Sequence, residues 1–412
     1  MSKELLPPDL ICHAWKLQGH QFVASRGRAE GGGYEFAVAP VEDYPFRCPA
    51  CRSQDVVRAG VVFRRLRCLP IGGQPVALNC QVQRVRCHSC GLVRQSGPML
   101  AAPRRSCTFA FETYVLELSR LMTICGVARH LAVSWDTVKD IVSRHLRRHY
   151  EKPPLKHLEY LGIDEIHVGR KGKFLTLVVD WSTGQVVYVG DGRGGDSLLP
   201  FWKRLRRSQA NIKAVCTDMS PAYTAAVAEH LPRAAHIYDR FHVIKLMNEK
   251  LTDLRRQTCR LSESIEGKKL LKGTRWLLVK NPENLDEKRD EKKRLEEALR
   301  INKPLAAAYY LKEDLRQLWS HATKEAAARF LDGWVARAQS CKLPILMRFA
   351  RFLTAHKKQL LNWYDYAISN GPIEGTNNKI QLMKRQAYGY RDIEFFKLKI
   401  KAVHESRYAL IG

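Results

Sequence analysis

Apolar and polar positions change rhythm several times along this chain, and each rhythm predicts a different kind of element. Over Tyr160–Gly190 (YLGIDEIHVGRKGKFLTLVVDWSTGQVVYVG), short runs of Val, Ile, Leu, Thr, Tyr and Phe are cut by Gly-bearing turns. That pattern predicts a three-stranded meander: Leu161–Val168, the turn Gly169–Lys173, Phe174–Asp180, the turn Trp181–Gly184, and Gln185–Val189. Between Phe109 and His149 the spacing becomes helical, with Ile124–Leu131, a break at Ala132–Ser134, and Trp135–Leu146. After the meander come a helix over Asp196–Ser208, a buried strand Ile212–Thr217 and a helix opened by Pro221. A strand Ala235–Tyr238 and a long helix to about Arg256 follow. Residues 245–368 are rich in Ala, Glu, Lys, Leu and Arg with few strand signals, so they predict several helices. A last helical stretch runs through Ser369–Tyr390, with Pro372 suited to its first turn and Ser369 or Asn370 to its cap. Three antiparallel strands followed by βαβ-like units match the order of an RNase H-type fold.

At 412 residues the chain exceeds one ordinary core. The expected class is a multidomain α+β protein: a zinc ribbon-like module, a helix-turn-helix, and an RNase H-like α/β core with a helical insertion. The expected boundaries are an unassigned segment 1–43 with a loose connection at Gly31–Gly33, the ribbon at 44–95 and the helix-turn-helix at 105–150. The core would take 157–245, the insertion 246–367, and the core's C-terminal helices 368–412. Lys152-Pro153-Pro154 reads as a linker.

Charge narrows the partner. Lys+Arg 69 against Asp+Glu 41 gives a formal +28, which suits a polyanion, either nucleic acid or an acidic membrane. No apolar run approaches the ~20 residues of a membrane span, and the N-terminus has too short an apolar stretch for a secretory signal. Nucleic acid is the better partner. Twelve Cys without a signal suggest a reducing cytoplasm, where clustered Cys more often bind metal than pair as disulfides.

Cys48-Pro-Ala-Cys51 and Cys87-His-Ser-Cys90-Gly91 are two C-x2-C pairs separated by 35 residues. Each turn would place two thiolates on one side of a tetrahedral Zn²⁺, one ion per chain, with strands around Val61–Phe63 and Gln81–Val85 bringing the turns together. Two unrelated Cys pairs in a core are the alternative; Cys68, Cys80 and His88 are spare ligand candidates, with a structural role expected over ligation. Nine Arg and no acid lie between Val56 and Phe111, a single-sign surface suited to phosphates. In the helical pair, Val127, Leu131, Val133, Val138 and Ile141 are expected to bury one another, with Ala128 and Ala132 small at the close approach. Ser134 would cap the second helix, leaving Trp135, Asp136, Lys139 and Asp140 toward a DNA groove and Arg144, Arg147 and Arg148 toward phosphates. A helical hairpin without a DNA role remains the alternative. For Trp276, Trp319, Trp334 and Trp363, core packing is expected over stacking on bases.

Three carboxylates complete the pattern. Asp164 and Glu165 are adjacent in the first strand, so one must share a side with apolar neighbours, where a carboxylate needs a partner or a metal. Asp218 ends a parallel-type strand, where α/β folds place their sites. Glu374 sits in the first turn of the last helix, followed by Asn377, Asn378, Gln381, Lys384 and Arg385; a simple complement to the helix dipole is the other reading.

The strings GIDEIHVGRKGKF, TDMSPAYTAAV, YDRFHVIKLMNEKLTDLR and NGPIEGTNNKIQLMKRQAYGYRDIEFFKLKI, with the Cys turns and the helix-turn-helix, resemble in their order a DDE-type transposase of the ISL-three family of insertion sequences. The resemblance spans about residues 45 to 405. It implies that Asp164, Asp218 and Glu374 are the catalytic triad, and that Asp239 and His242 of DRFH stand beside the site in support. It implies a partner too: double-stranded DNA, as terminal inverted repeats and target. Phosphodiester cleavage needs in-line attack on phosphorus, with charge developing on the entering and leaving oxygens. Two Mg²⁺ (or Mn²⁺) ions about 3.5–4 Å apart stabilise both. Mg²⁺ keeps several waters, so three acids suffice, Asp164 bridging and Asp218 and Glu374 each completing one ion. Water would release a 3′-OH at the element end, and that hydroxyl would attack target DNA. Lys384 and Arg385 would hold nearby phosphates. Pairing two DNA ends predicts a homodimer or larger assembly. The rivals are a zinc/helix-turn-helix regulator with a non-catalytic C-terminal domain and an RNase H-fold nuclease.

Overall fold

The structure, a computed structural model, describes residues 8–29, 32–169, 172–262 and 264–405. Gly31 and part of the expected turn Gly169–Lys173 lie outside the described residues. The chain divides into two compact units. One comprises Met1–Glu151 with Arg385–Leu398 and His404–Gly412; the other comprises Lys152–Lys384 with Lys399–Val403.

The first unit begins with α1 (Pro8–Ala14), β1 (His20–Ala29), β2 (Gly33–Pro40), β3 (Val56–Ile71), β4 (Gln74–Cys87) and β5 (Val93–Ser96). The strands form one sheet ordered β1-β2-β4-β3, with β5 on β4. The β3–β4 hairpin closes through Gly72 and Gly73, both at positive φ, as a two-residue turn between right-twisted strands requires. Its other end pairs Val56 with Cys87, which brings the two Cys turns together. Trp15, Leu17, Val38, Leu66, Val76 and Leu78 make the core, with Cys68 and Cys80 buried among them. His20–Ala29 and Gly33–Pro40, from the segment expected to be unassigned, therefore belong to the same sheet as the ribbon hairpin. Three helices follow: α2 (Phe109–Ser119), α3 (Ile124–Leu131) and α4 (Trp135–Tyr150). Thr108, Thr123 and Ser134 cap them, each accepting from a backbone N–H three residues on. Ala132 takes a left-handed conformation at the α3–α4 break, and Val127, Leu131, Val138 and Ile141 are buried between the helices as their spacing predicts.

The second unit holds β6 (Tyr160–His167), β7 (Phe174–Asp180), β8 (Val186–Asp191), α5 (Leu199–Ser208), β9 (Ala214–Thr217), α6 (Pro221–His230), β10 (Ala235–Tyr238) and α7 (Arg240–Leu261). The sheet runs β10-β9-β6-β7-β8, antiparallel from β6 to β8 and parallel from β6 to β10, the RNase H-like order. Leu161, Ile163, Val178, Val187 and Val215 pack against Phe201, Trp202 and Leu205 of α5 and Tyr223 of α6. Residues 195–198 wind as 3-10 turn, so the helix expected from Asp196 begins at Leu199.

The insertion is wholly helical between its turns: α8 (Ile265–Gly273), α9 (Arg275–Val279), α10 (Glu291–Ile301), α11 (Lys303–Arg316), α12 (Lys324–Ser340), α13 (Pro344–Ala355), α14 (Lys357–Leu361) and α15 (Trp363–Tyr366). Leu305, Leu315, Leu331, Leu346 and Phe349 form its core with Met247 and Leu251 of α7. Trp319 and Trp334 are core residues, and Trp363 packs at the edge. Trp276 departs from the expectation: it is 68% exposed, with the Arg275 guanidinium 4.6 Å above its ring.

The last helices are α16 (Gly371–Gln386) and α17 (Ile393–Lys401). Residues 368–412, expected to stay with the core, divide. Most of α16 belongs to the second unit, while Arg385–Leu398 groups with the first. There Tyr390 stacks on Phe396, and Asp392 pairs with Lys139 at 2.8 Å, anchors that no local periodicity announces. Among the described residues, no helix is long and apolar enough to cross a membrane.

Candidate functional site

Strand alternation sends the two acids of β6 to opposite faces. Glu165 accepts a hydrogen bond from the Tyr223 hydroxyl (2.7 Å) under α6. Asp164 shares the other face with Gly162. The parallel register pairs Gly162 with Cys216, and Cys216 with Ile237. Two residues further in that register come Asp164, inside β6, and Asp218 and Asp239, each directly after the last residue of β9 and β10, at the C-terminal edge of those two strands. This is the edge at which parallel strands present ligand sites.

Each carboxylate there is held. Asp164 Oδ1 accepts from the Glu165 N–H (2.8 Å), and its Oδ2 from Asn377 Nδ2 (2.9 Å). Asp218 Oδ1 accepts from the Ser220 N–H (3.0 Å), a turn that leads into α6. Asp239 caps α7, accepts from the Asn370 N–H through Oδ1 (3.0 Å), and meets His242 Nδ1 through Oδ2 (3.0 Å). Burial raises the Asp164 pKa above its ordinary value; the Glu165 N–H and the His242 charge oppose that, and Asp218 adds to it. For His242 burial works downward, but the Asp239 bond and the charges of Asp164 and Asp218 outweigh it and raise the pKa. Asp239 is pushed up by burial, yet ends below the usual range because His242 and the Asn370 N–H favour its anion.

Helix α16 docks on the same face. Ile373 sits so close over Gly162 that a Cβ there would lie 2.3 Å from Ile373 Cδ1, so only glycine leaves room. The Glu374 N–H donates to Asn370 O (2.9 Å), and Gln381 Nε2 to His167 O (2.8 Å) at the far end of β6. Glu374 is exposed and follows Ile373 directly. Asn377 lies one turn further along the same side of the helix, and it is Asn377 that reaches Asp164. Thus Asp164 and Asp218 stand on adjacent strands, while Glu374 is exposed at the start of α16 and, among the described residues, has no hydrogen bond with either. Among the described residues, four cysteines are the only group of three or more ligand-type side chains within 4.8 Å.

Two buried amide oxygens, Asn370 Oδ1 and Asn377 Oδ1, have no hydrogen-bond partner. Each such orphan costs about 1–3 kcal/mol unless something electropositive meets it. Carboxylates beside an unsatisfied amide oxygen form the hard-oxygen donor set that divalent cations take, so the residues fit such an ion. Sequence reasoning noted the polar stripe Asn377–Gln381 but gave Asn370 and Asn377 no role in the site; their buried placement beside an acid was the missing signal.

The ribbon end is a second centre. Cys48 Sγ and Cys90 Sγ lie 3.6 Å apart, and Cys51 Sγ and Cys87 Sγ 3.5 Å apart, all four within 4.8 Å of one another. Backbone N–H groups of Cys51 and Ala50 hold the Cys48 thiol down to about 6. Cys51 moves the other way, to about 12: the Ser53 N–H favours its thiolate, but Cys87, Cys48 and Cys90 crowd it with further sulfur. Four sulfurs that cannot all ionise by themselves fit a tetrahedral Zn²⁺, which removes that repulsion.

The expected DNA-contacting residues separate. Ser134 is the cap of α4, and Asp136 is exposed. Lys139 does not face an open groove: it pairs with Asp392 and lies 5.0 Å from the Trp135 ring and 5.7 Å from the Phe395 ring, leaving Trp135 46% exposed. Arg144 is likewise occupied, bonded to both Glu112 oxygens (2.7 and 3.2 Å) and to Asp140 (3.1 Å). Asp140 also takes Arg105. Of the nine arginines between Val56 and Phe111, Arg64 and Arg67 bond backbone carbonyls and Arg65 pairs with Glu35, so the single-sign run is only partly a free surface. Arg84, Arg86, Arg104 and Arg148 are exposed. Lys384 is half-buried and Arg385 exposed, neither with an acidic partner at ion-pair distance among the described residues.

Comparison with known proteins agrees with this architecture. A family model described as a transposase of the ISL3 type matches residues 161–400. The helix-turn-helix domain of transposase family ISL3 matches 98–146, and a zinc finger of the IS204/IS1001/IS1096/IS1165 transposases matches 44–90. The transposase for insertion sequence element IS1001 of Bordetella parapertussis is 32% identical over 86% of this chain and 88% of its own length. The transposase for IS1557 of Mycobacterium tuberculosis is 30% identical over 84% of this chain and 82% of its own. A solved Drosophila P element transposase strand transfer complex covers 66% of this chain and 82% of its own at TM-score 0.31 and 12% identity. With its zinc ribbon, helix-turn-helix and RNase H-like core in this order, the chain belongs to the ISL3 family of DDE transposases, enzymes that cut and join DNA.

Proposed function

We propose that this transposase binds the terminal inverted repeats of an insertion sequence and cleaves and transfers their strands with Mg²⁺ or Mn²⁺ held by Asp164, Asp218 and Glu374. The observation that carries the reading is the row of Asp164, Asp218 and Asp239 on adjacent strands in the parallel register, with the Glu374 helix seated on Gly162. Two such ions, when bound, supply charge for the entering and leaving oxygens of an in-line displacement. The chain's own residues do the arranging. Asp164 is oriented through both of its oxygens, by the Glu165 N–H and Asn377, before any ligand arrives. Asp239 and His242 act in support: Asp239 ties the start of α7 to the Asn370 N–H and fixes the His242 ring, whose pKa burial lowers but the Asp239 bond and the Asp164 charge raise on balance. Lys384 and Arg385 hold phosphates of the DNA, and Arg148 and Asp136 lie on the exposed side of the helix-turn-helix. The two DNA ends of the reaction call for two or more copies of the chain, working in the cytoplasm on chromosomal or plasmid DNA.

The test is Mg²⁺-dependent cleavage of duplexes carrying the inverted repeats that flank the gene. Asp164→Asn and Glu374→Gln are each expected to lower cleavage by at least 100-fold while leaving binding of the same duplex intact, since loss of charge stabilisation in the transition state costs about 10²–10³ in rate. Full cleavage by Asp164→Asn overturns the assignment.

A further inference from the structure

Asn377 stands where a structural residue would leave no loose end, yet it leaves one. Its Nδ2 is used on Asp164 Oδ2 (2.9 Å), and its Oδ1 is buried without a donor. The amide cannot simply turn over, because that would set two oxygens against each other at the Asp164 carboxylate. Asn370 Oδ1 on the same face is likewise unmatched, whereas Asp239 is met by Asn370 and His242, and Thr376 donates to the Pro372 carbonyl (3.0 Å). Asn377 also sits one helical turn after Glu374, so its amide oxygen and the Glu374 carboxylate project from the same side of α16. An unsatisfied amide oxygen on a side chain already bonded to an acid is chemically a neutral hard-oxygen donor, the kind that divalent cations accept alongside carboxylates.

We infer that Asn377 is a positioning residue that locks Asp164 through Nδ2 and lends its Oδ1 as a neutral oxygen ligand to the divalent cation. The inference rests on the proposed metal role of Asp164. It gives one side chain two duties. Before the cation arrives, the NH₂ group fixes the rotation of Asp164; afterwards, the oxygen shares in the ion's coordination without adding negative charge to an already acidic edge.

The probe is Mn²⁺ alone, titrated into the full-length zinc-loaded chain without DNA and followed by the electron paramagnetic resonance of the free ion, with the thermal midpoint recorded with and without Mn²⁺. Asn377→Ala is expected to weaken Mn²⁺ binding about tenfold. Asn377→Asp replaces the amide oxygen by a carboxylate oxygen, so it is expected to bind Mn²⁺ at least as tightly as the parent. Without metal, two carboxylates then face each other, so its midpoint falls, and Mn²⁺ raises it by more than it raises that of the parent. A purely structural Asn377 predicts the opposite pattern, lowered midpoints in both variants with Mn²⁺ affinity unchanged, and that result overturns the inference. Asp164→Asn separates the two readings. If it abolishes Mn²⁺ binding while Asn377→Ala does not weaken it, only the role of Asn377 falls. Mn²⁺ binding indifferent to Asp164→Asn removes the metal site itself, and the inference with it.

Discussion

Gly162 carries as much of the site as any acid, because it is the point at which the helix of Glu374 can touch the strand of Asp164. A methyl group there would stand 2.3 Å from Ile373 Cδ1 and 3.2 Å from Ile373 Cγ1, and Ile373 is fully buried. Gly162→Ala is therefore expected to cost about 1–3 kcal/mol of stability through overpacking, read as a lowered midpoint in thermal unfolding. Cleavage should fall further than stability, since moving α16 off β6 also moves Asn377 away from Asp164. A variant of unchanged midpoint and activity would show that the close approach does not hold the helix. The sequence already points to Asp164 as the site acid; what it leaves open is the fate of Glu165, which is taken by Tyr223, a residue well beyond the meander. Lys139 and Arg144 illustrate the same point from the other side: each has the right residue type and helix face for DNA, and each is already paired with an acid from another element.

At the scale of elements, the short-range code is legible in the helix pair. The helix α3 matches its expected span and α4 its expected start after the break, with Ser134 as cap, although α4 runs past Leu146 to Tyr150; the capping bond and the i, i+3, i+4 burial stripe are written within a few residues. The C-terminal segment was not read this way. Asp392 and Phe395 lie against Lys139 and Trp135, so the outward side of the predicted recognition helix is partly covered by a stretch near the other end of the chain. The Lys139 ammonium, first through its hydrogen bond, holds the Asp392 carboxyl below the usual range. Asp392→Ala is expected to free Lys139 for phosphate contact, raising affinity for duplex DNA a few-fold and steepening the slope of log affinity against log salt by about 0.9, one added phosphate contact. The check is fluorescence anisotropy of a labelled duplex over a salt series; an unchanged slope would mean that Lys139 stays out of reach of DNA even when released.

For the whole molecule, charge is the property that composition states outright and structure then redistributes. A formal +28 remains after every ion pair is made, since pairing moves charges without removing them. Affinity for random duplex is accordingly expected to drop by about 10³-fold or more between 50 and 200 mM salt, the fall that about six or more phosphate contacts produce. A drop below tenfold in the same anisotropy series would indicate that most of these cations are not at the DNA. The division into units likewise belongs to this scale. His20–Ala29 and Gly33–Pro40 complete the ribbon's sheet and Arg385–Leu398 joins the N-terminal unit, although none of these stretches carries a motif that says so.

What the sequence by itself determined is the set of features written in neighbouring residues: the Cys turns, the capped helix pair, the strand order of the core, the helical character of the insertion, and the strings that resemble a transposase family. Bonds between residues a few positions apart set these, so periodicity and residue type suffice. Only the tertiary structure decided which partner each buried or charged side chain takes. It gave Glu165 to Tyr223, set Asn377 beside Asp164, closed Lys139 and Arg144 into ion pairs, and grouped Arg385–Leu398 with the N-terminal unit. Those outcomes depend on segments far apart in the chain competing for the same surface, and burial and electrostatics are settled only where such segments meet.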